Sequence, residues 1–252
     1  MMHITVSPDA ASLGLHAALE TAEILREAIA KDGCARIILS TGASQFTTLE
    51  ALIAQPGIDW SKVEMFHLDE YVGISPEHPA SFQKYLRERF VNKVNLGKYH
   101  LIDGQADPAE TIRELTALIA ERPIDLGLIG IGENGHIAFN DPPADFDDDN
   151  AFKVVTLSDT CIAQQIHEGW FATPEDAFKQ AISMTCLQIM QCRTIISVVP
   201  YPVKAQAIHD TLTMEETNMV PATLMKKHAD VTVYCDPDSA AMVSQTVLEQ
   251  YR

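Results

Sequence analysis

The segment IDLGLIGIGENGHIAFNDPP, residues 124–143, decides the fold class that this chain predicts. It begins as an apolar run of strand length and becomes a glycine-rich turn. It then places His136 and Asp141 in a short segment that ends at two prolines. α/β proteins usually build their sites where a buried strand runs into a polar, glycine-rich loop. The segment therefore predicts one strand of an α/β fold with a functional loop at its carboxyl end.

Three glycines of this segment, Gly130, Gly132 and Gly135, match the G-x-G-x-x-G pattern of dinucleotide-binding sites. That pattern needs a long helix after the last glycine, with its N-terminus directed at a pyrophosphate. Pro142 and Pro143 come too soon for such a helix, because proline removes a backbone donor and clashes with the preceding turn. The two prolines therefore disfavour a nicotinamide cofactor. We expect the glycines to let the backbone pass close to a small polar ligand.

The composition of the 252 residues is that of an ordinary globular protein, and the sequence predicts a single α/β domain over residues 1–252. No apolar stretch is long enough to cross a membrane, and the N-terminus lacks the pattern of a signal peptide. We therefore expect a cytoplasmic protein. The formal charge of -17 disfavours nucleic acid as a partner, and any anionic ligand would need a local cluster of N–H groups and cations.

Cysteines and acidic residues give no metal or disulfide pattern. The five cysteines are an odd number without paired spacing, which predicts buried reduced thiols and no zinc site. The acidic run Asp145–Asp149 is typical of a solvated loop rather than a cation site. We therefore expect neither a metal nor a cofactor.

Apolar runs of strand length alternate with helical patterns along the chain. The strand-like runs are Ala35–Ser40, Val63–Leu68, Asp125–Gly130, Lys153–Leu157, Thr194–Val199 and Asp230–Cys235. Apolar residues at three- and four-residue spacing predict helices at Ala17–Lys31, Pro108–Glu121, Lys204–Leu212 and Ser239–Tyr251. The alternation predicts a mainly parallel sheet covered by helices on both faces, with ligands bound beyond the carboxyl ends of the strands.

A turn of small residues follows the first strand-like run. Its members Thr41, Gly42, Ala43 and Ser44 lead into an apolar-periodic helix, which brings together unpaired N–H groups, hydroxyls and the positive end of a helix dipole. Such a turn is typical of a phosphate-binding loop, and it is equally typical of an ordinary helix start capped by Ser44 or Thr41.

Three further strand ends carry ionisable groups. Asp69 and Glu70 are adjacent carboxylates after the second run, where either a turn or a reactive role explains them. Lys204 stands at a helix start, where the helix dipole disfavours a cation. His136 has a carboxylate close in sequence, and such a partner fixes the tautomer of a histidine and raises its basicity. An anion-binding turn, a carboxylate, a histidine and a cation at neighbouring strand ends together indicate an active site.

Four segments match one known family in sequence, order and spacing. They are STGAS at Ser40–Ser44, FHLDEYVG at Phe66–Gly73, HPASF at His78–Phe82 and GIGENGHIAFNDP at Gly130–Pro142. They resemble the glucosamine-6-phosphate deaminase (isomerase) family, which also includes 6-phosphogluconolactonases. The resemblance implies a modified Rossmann-like three-layer α/β sandwich with a mainly parallel sheet and no cofactor. It also implies a small-molecule sugar phosphate as ligand, and it admits a homo-oligomer.

The resemblance further implies roles for individual residues. Asp69 would move a proton between C2 and C1 of the sugar, and His136 would open the pyranose ring, with Asp141 and Asn134 beside it as catalytic residues. The residues implied to bind substrate are Thr41, Gly42, Ala43, Ser44, Glu70 and Lys204, the first four and the lysine at its phosphate.

The implied reaction is the isomerisation and deamination of a 2-amino-2-deoxyhexose 6-phosphate, which converts glucosamine 6-phosphate into fructose 6-phosphate and ammonia. One alternative is a lactonase of the same fold, which the segment Asp69–Gly73 and Asn140 disfavour, because lactonases of this family generally lack them. A second alternative is a non-catalytic sugar-phosphate sensor. The intact Asp69 and His136 disfavour a sensor, since a protein that only binds needs no proton shuttle.

The chain departs from the family pattern at several positions. Asp141 stands where the family usually has glutamate, so its reach to His136 is shorter by one methylene. Ala43 replaces a glycine of the phosphate-binding turn, which requires a negative φ there. Ile166 stands where a typical deaminase supplies an arginine to the phosphate. Either His167 or one of the two lysines Lys226 and Lys227 would replace this arginine.

Overall fold

A computed structural model describes residues 1–251 as two sheets surrounded by helices. The strands are β1 (Met2–Val6), β2 (Ala35–Leu39), β3 (Val63–His67), β4 (Asp69–Tyr71), β5 (Lys98–His100), β6 (Leu126–Ile129), β7 (Phe152–Thr156), β8 (Gln180–Met184), β9 (Thr194–Val199) and β10 (Val231–Cys235). The α-helices are α1 (Ala10–Asp32), α2 (Phe46–Ile53), α3 (Phe82–Leu86), α4 (Pro108–Ala120), α5 (Asp159–His167), α6 (Cys186–Met190), α7 (Ala205–Thr213) and α8 (Gln245–Gln250). Short 3-10 turns precede α2 and α7, and a π-helical turn continues α3.

The larger sheet has seven parallel strands in the order β1-β10-β9-β6-β2-β3-β5. From β2 the chain builds outward through β3 to β5, and it then returns to the other side of β2 to form β6, β9 and β10. The strand order therefore reverses between β2 and β6. In open α/β sheets, ligands bind at such a reversal, beyond the carboxyl ends of the strands.

Alternate residues of the central strands pack on opposite faces of this sheet. In β2, Ile37 and Leu39 join a core with Leu13 and Leu25 of α1, whereas Ile38 joins a second core on the other face. The second core contains residues of α4, α6 and α7. Helices therefore cover both faces, which confirms the predicted three-layer α/β sandwich with a mainly parallel sheet.

The smaller sheet is antiparallel, with strand order β4-β8-β7, and the sequence analysis did not anticipate it. The run Lys153–Leu157 was expected in the parallel sheet, but it forms β7 of this second sheet. Only Leu68 separates β3 from β4, so the chain leaves the parallel sheet at this residue. This change of direction places Asp69 at the junction between the two sheets.

The predicted helix over Ser239–Tyr251 is wrong in its first half. Ser239 is used in a turn, where its N–H donates to Asp236 Oδ1 at 2.8 Å and its hydroxyl accepts from the Asp236 N–H at 3.1 Å. The helix begins only after Ser244, whose side chain caps α8. These local side chain–backbone bonds compete with helix formation, which the apolar periodicity alone does not show.

Two other expectations concern the thiols and the membrane. All five cysteines are free, and four of them are buried as predicted, whereas Cys34 is partly exposed. Within residues 1–251, no helix combines the length and apolar character needed to span a bilayer.

A buried ion pair joins the N-terminal ends of β2 and β3. The Arg36 side chain is 1% exposed and donates from Nε to Glu64 Oε2 at 2.9 Å. Its other nitrogens donate to carbonyl groups at the end of α4, among them Leu118 O at 2.6 Å and Ile119 O at 3.0 Å. Burial opposes ionisation of Glu64, but the hydrogen bond from His100 and the charge of Arg36 hold its pKa below the ordinary value. Arg36 therefore links the sheet to α4.

We expect the substitution Arg36→Met to lower the free energy of unfolding by about 3–5 kcal/mol, because it leaves Glu64 and several carbonyl groups buried without their partner. The matched control is Arg113→Met, which breaks an exposed pair with Glu110 and should cost less than about 1 kcal/mol. Urea denaturation of both variants measures the difference. Equal losses in the two variants would contradict a structural role for the Arg36 network.

Candidate active site

A cleft lies at the carboxyl ends of the strands where the strand order reverses. Loops after β2, β3, β6 and β9 line it, together with the C-terminal half of α5. Its lining residues include Ser40, Thr41, Gly42, Ala43, Ser44, Asp69, Gly130, Gly132, Glu133, His136, Gln164, Gln165, His167, Glu168, Tyr201 and Lys204. The fold therefore brings together the predicted turn, Asp69, His136 and Lys204.

The turn after β2 forms the end of the cleft nearest β2. Gly42 has φ +103, and a 3-10 turn over Ala43–Gln45 starts directly after it. Ala43 does not have a positive φ, so the backbone at this position accepts alanine in place of glycine. Neither the 3-10 turn nor α2 has a side-chain cap, so Thr41 and Ser44 are not ordinary helix caps. The buried hydroxyl of Ser40 has no hydrogen-bond partner within residues 1–251.

Lys204 supplies a cation to the same cleft. It lies in the 3-10 turn that precedes α7 and is 6% exposed. Burial lowers its pKa, while the nearby charges of Glu168 and Glu133 act in the opposite direction. Its ammonium group forms no ion pair and no hydrogen bond with any other group among residues 1–251. A buried lysine without a partner, beside helical N–H groups, suits an anionic ligand.

Asp69 is a buried carboxyl group in the floor of the cleft. It is 6% exposed, and no side chain or backbone group of residues 1–251 donates a hydrogen bond to its carboxyl oxygens. Burial raises its pKa to about 8, and the charge of Glu70 adds to this effect. A carboxyl group with such a pKa exchanges protons near neutral pH, as a general acid–base catalyst requires.

Glu70, which the resemblance implies to bind substrate, is not among the residues that line the cleft. Its carboxylate accepts hydrogen bonds from the Ser81 hydroxyl at 2.9 Å and the Gln83 N–H at 2.7 Å, and also from the N–H groups of Tyr71 and Phe82. Adjacent residues of a strand point to opposite faces, so Asp69 and Glu70 diverge. Glu70 thus holds the HPASF segment against β4.

His136 is oriented by two side chains of its own loop. Its Nδ1 lies 2.7 Å from Asn134 Oδ1 and 3.2 Å from Asp141 Oδ1, and the Asn134 amide donates to Asp141 Oδ1 at 3.1 Å. Both oxygens are acceptors, so Nδ1 carries the proton and Nε2 is the basic nitrogen of the neutral ring. Asp141 therefore reaches the histidine despite its shorter side chain.

The environment of Asp141 keeps this carboxylate charged. Burial opposes its ionisation, but the hydrogen bond and charge of His136, with further bonds from Ser158 and Asn134, hold its pKa well below the usual range. A permanently charged Asp141 stabilises the imidazolium form when His136 takes up a proton.

Gly132 is required by the histidine ring. A Cβ atom at this position would lie 2.2 Å from His136 Cε1 and 2.3 Å from Nε2. These glycines were expected to admit a ligand, and at Gly132 the group that approaches the backbone is the imidazole itself. Gly132 therefore makes room for the His136 ring.

Asn140, four residues after His136, anchors the histidine loop to the second sheet. Its amide donates to Ile137 O at 2.9 Å and to Met184 O at 2.8 Å, and it is 3% exposed. It lies outside the cleft, so its effect on the site is structural.

The wall formed by α5 contains residues that the sequence analysis missed. The Gln164 amide accepts from the Glu133 N–H at 3.1 Å and donates to Glu168 at 2.8 Å. Gln165 accepts from the Tyr71 hydroxyl at 2.7 Å. No sequence pattern marks these glutamines, because only the packing of α5 over the cleft gives them a place in the site.

Of the three residues considered as replacements for the arginine absent at Ile166, one lines the cleft and two do not. His167 lines the cleft, with Nδ1 3.4 Å from Glu133 Oε1. Lys226 donates to the Leu212 and Met214 carbonyls, and Lys227 pairs with Glu216 at 2.7 Å, so both lysines are engaged outside the cleft. The Asp145–Asp149 run does not line the cleft either.

The cleft combines N–H groups and a buried cation that suit an anion with two groups whose chemistry suits proton transfer. A small molecule held by an anionic group near Lys204 would present its other atoms to Asp69 and His136. A raised carboxyl pKa and an oriented imidazole are typical of acid–base chemistry on carbon and oxygen.

Most of the chain matches one protein family. The model of the family described as glucosamine-6-phosphate isomerases/6-phosphogluconolactonase matches residues 8–234. A glucosamine-6-phosphate deaminase of Exiguobacterium sibiricum is 35% identical over 207 residues, which are 82% of this chain and 80% of that protein. A glucosamine-6-phosphate deaminase of Lactobacillus delbrueckii subsp. bulgaricus is 32% identical over 243 residues, which are 96% of this chain and 100% of that protein.

Solved structures share the fold. A monomeric glucosamine-6-phosphate deaminase is similar with a TM-score of 0.86 and 27% identity, covering 96% of this chain and 100% of that one. A 6-phosphogluconolactonase from Trypanosoma brucei has a TM-score of 0.78 and 15% identity, covering 97% of this chain and 99% of that one. The likeness to the lactonase concerns the fold alone.

We expect Gly132→Ala to displace His136 from Asn134 and Asp141, because the added Cβ overlaps the ring. In NMR spectra the hydrogen-bonded Nδ1 proton of His136 should then be lost. Gly127→Ala is the control, since its Cβ would approach only the Cys192 side chain, at 3.1 Å, away from the cleft. A Gly132→Ala protein that keeps the Nδ1 signal would contradict the contact.

Proposed function

The chain belongs to the glucosamine-6-phosphate isomerase/6-phosphogluconolactonase family, and from this premise we propose that it is a cytoplasmic glucosamine-6-phosphate deaminase. It converts glucosamine 6-phosphate and water into fructose 6-phosphate and ammonia. The 32–35% identity to deaminases over most of the chain supports this activity. The observation that carries the mechanism is the convergence of Asp69, His136 and Lys204 on one cleft.

Ring opening is the first step, because a closed pyranose has no carbonyl group at C1. The Nε2 atom of His136 takes the proton of the C1 hydroxyl, and the imidazolium then passes this proton to the ring oxygen as the C1–O5 bond breaks. Asn134 and Asp141 hold the Nδ1 proton and so present Nε2 as the base. Asp141 also stabilises the imidazolium that forms.

Isomerisation then proceeds through Asp69. Its carboxylate removes the proton from C2 to give an enolamine, and it returns this proton to C1, which leaves an imine at C2. Water adds to this imine, ammonia leaves, and C2 becomes the ketone of fructose 6-phosphate. One carboxyl group on one face of the substrate suits both transfers, and its raised pKa lets it accept and release the proton.

The phosphate is held at the far end of the cleft. The turn Thr41–Ser44 offers N–H groups and hydroxyls, Lys204 offers the buried positive charge, and His167 lies at the mouth. Binding energy from a group remote from the reaction positions the reacting carbons. Lys204 is important here because the chain has an overall charge of -17.

The first experiment measures ammonia release and fructose 6-phosphate formation from glucosamine 6-phosphate, with galactosamine 6-phosphate run in parallel. We expect turnover of the gluco substrate. Hydrolysis of 6-phosphogluconolactone without ammonia release would instead identify a lactonase. Thermal stabilisation by the amino sugar phosphates without turnover would identify a sensor.

We expect Asp69→Asn to lower kcat by about 10²- to 10⁴-fold, because the amide cannot transfer the proton. Its affinity for fructose 6-phosphate, measured by calorimetry, should stay close to that of the parent. Asp149→Asn serves as the control, since it changes an exposed aspartate of the acidic loop. An Asp69→Asn enzyme as active as the parent would contradict the proton shuttle.

The pH dependence follows from the raised pKa of Asp69. Its base form is half populated at about pH 8 in the free enzyme, so kcat/KM should rise as the pH passes from 7 to 9. The negative charge of Glu70 contributes to this shift, so Glu70→Gln should move the midpoint to lower pH. Any titration of the substrate itself affects both enzymes in the same way, so it does not change the comparison of their midpoints. A midpoint that moves upward in Glu70→Gln would contradict the assignment.

A further inference from the structure

The two oxygens of the Asp141 carboxylate have different partners. Oδ1 faces the histidine side, at 3.2 Å from His136 Nδ1 and 3.1 Å from Asn134 Nδ2. Oδ2 faces the other way and accepts from the Ser158 hydroxyl at 2.7 Å and from the Ser158 N–H at 3.3 Å. Ser158 therefore supplies both donors that Oδ2 receives among residues 1–251.

The Ser158 hydroxyl also caps α5. While it donates its proton to Asp141, its oxygen accepts a hydrogen bond from the Cys161 N–H at 3.1 Å. The hydroxyl is thus engaged as donor and acceptor at once, which fixes its rotamer. The carboxylate lies at the N-terminal end of α5, where the helix dipole favours a negative charge.

We propose that Ser158 is a positioning residue for the reaction assigned above. Its hydroxyl and N–H hold the carboxylate of Asp141 in the one rotation that keeps Oδ1 on His136, and they tie the histidine to the start of α5. This inference rests on the proposed function, and it adds a residue to which neither the family pattern nor the site chemistry gave a role.

The physical reason is the freedom of the carboxylate about χ2. Terminal carboxylate torsions are broad, so a carboxylate bonded on one oxygen alone rotates readily. The bonds from Ser158 remove this freedom before the substrate arrives. The same helix carries Gln164 and Gln165 to the opposite wall of the cleft, so one rigid element sets both the histidine and that wall.

Three substitutions separate the donor role from the capping role. Ser158→Ala removes the cap and the donor. Ser158→Gly removes the hydroxyl donor at little cost to the helix, because glycine is a favourable N-cap residue, and it adds no charge beside Asp141. Ser158→Thr keeps both functions. Ser244→Ala removes the exposed cap of α8 and is the control for capping alone.

We expect kcat to fall about tenfold or more in Ser158→Ala and Ser158→Gly, with KM changed less than about twofold, because a charge-assisted hydrogen bond is lost near the base. Ser158→Thr should retain kcat within about threefold. The Nδ1 proton of His136, assigned by its absence in His136→Gln, should exchange with solvent faster in the Ala and Gly variants only.

Parent-like kcat and Nδ1 exchange in Ser158→Gly would overturn the inference, since that variant lacks the hydroxyl donor while its N-cap residue remains favourable. Should Ser158→Ala fail to fold, Ser158→Gly still decides. The failure of the proposed function looks different: the parent itself would release no ammonia, and the Nδ1 exchange rates would still test whether Ser158 positions His136 through Asp141.

Discussion

The reversal of strand order between β2 and β6 is the constraint on which the site depends. Connections from these neighbouring parallel strands leave in opposite directions, so a crevice stays open between their carboxyl ends. The turn with Gly42 and the loop with His136 occupy its two sides. β3 and β9 flank the pair and bring Asp69 and Lys204 to the same edge. The sheet thus assembles four segments that are far apart in the sequence.

Burial gives the assembled groups their chemistry. Asp69 lies at the junction of the two sheets without hydrogen-bond donors. Burial therefore raises its pKa to about 8, so the carboxyl group keeps its proton at neutral pH. Asp141 is also largely buried, but a histidine, an amide and a hydroxyl surround it and keep it ionised. Two aspartates of one cleft therefore serve opposite purposes, and the difference lies in the hydrogen bonds that each receives.

The sequence predicted the parts of the site that lie directly after long apolar strands. The turn at Thr41–Ser44 and the loop at His136 were placed correctly, because buried strands and small-residue turns leave strong local patterns. The second sheet was missed, since β4 has only three residues and β7 pairs with a strand distant in sequence. The hydrogen bonds of Glu70 to residues 81–83 were not foreseen for a related reason, because they depend on tertiary packing. The glutamines of α5 have no local pattern, and only tertiary structure reveals them.

The close contact between Gly132 and the imidazole ring makes these two positions interdependent in evolution. While His136 is present, every side chain larger than hydrogen at 132 overlaps the ring. A lineage that lost the histidine would be released from this restriction, and larger residues would accumulate at 132. Regaining the histidine would then require glycine to return at 132 first. The contact thus fixes the order in which the two positions can change.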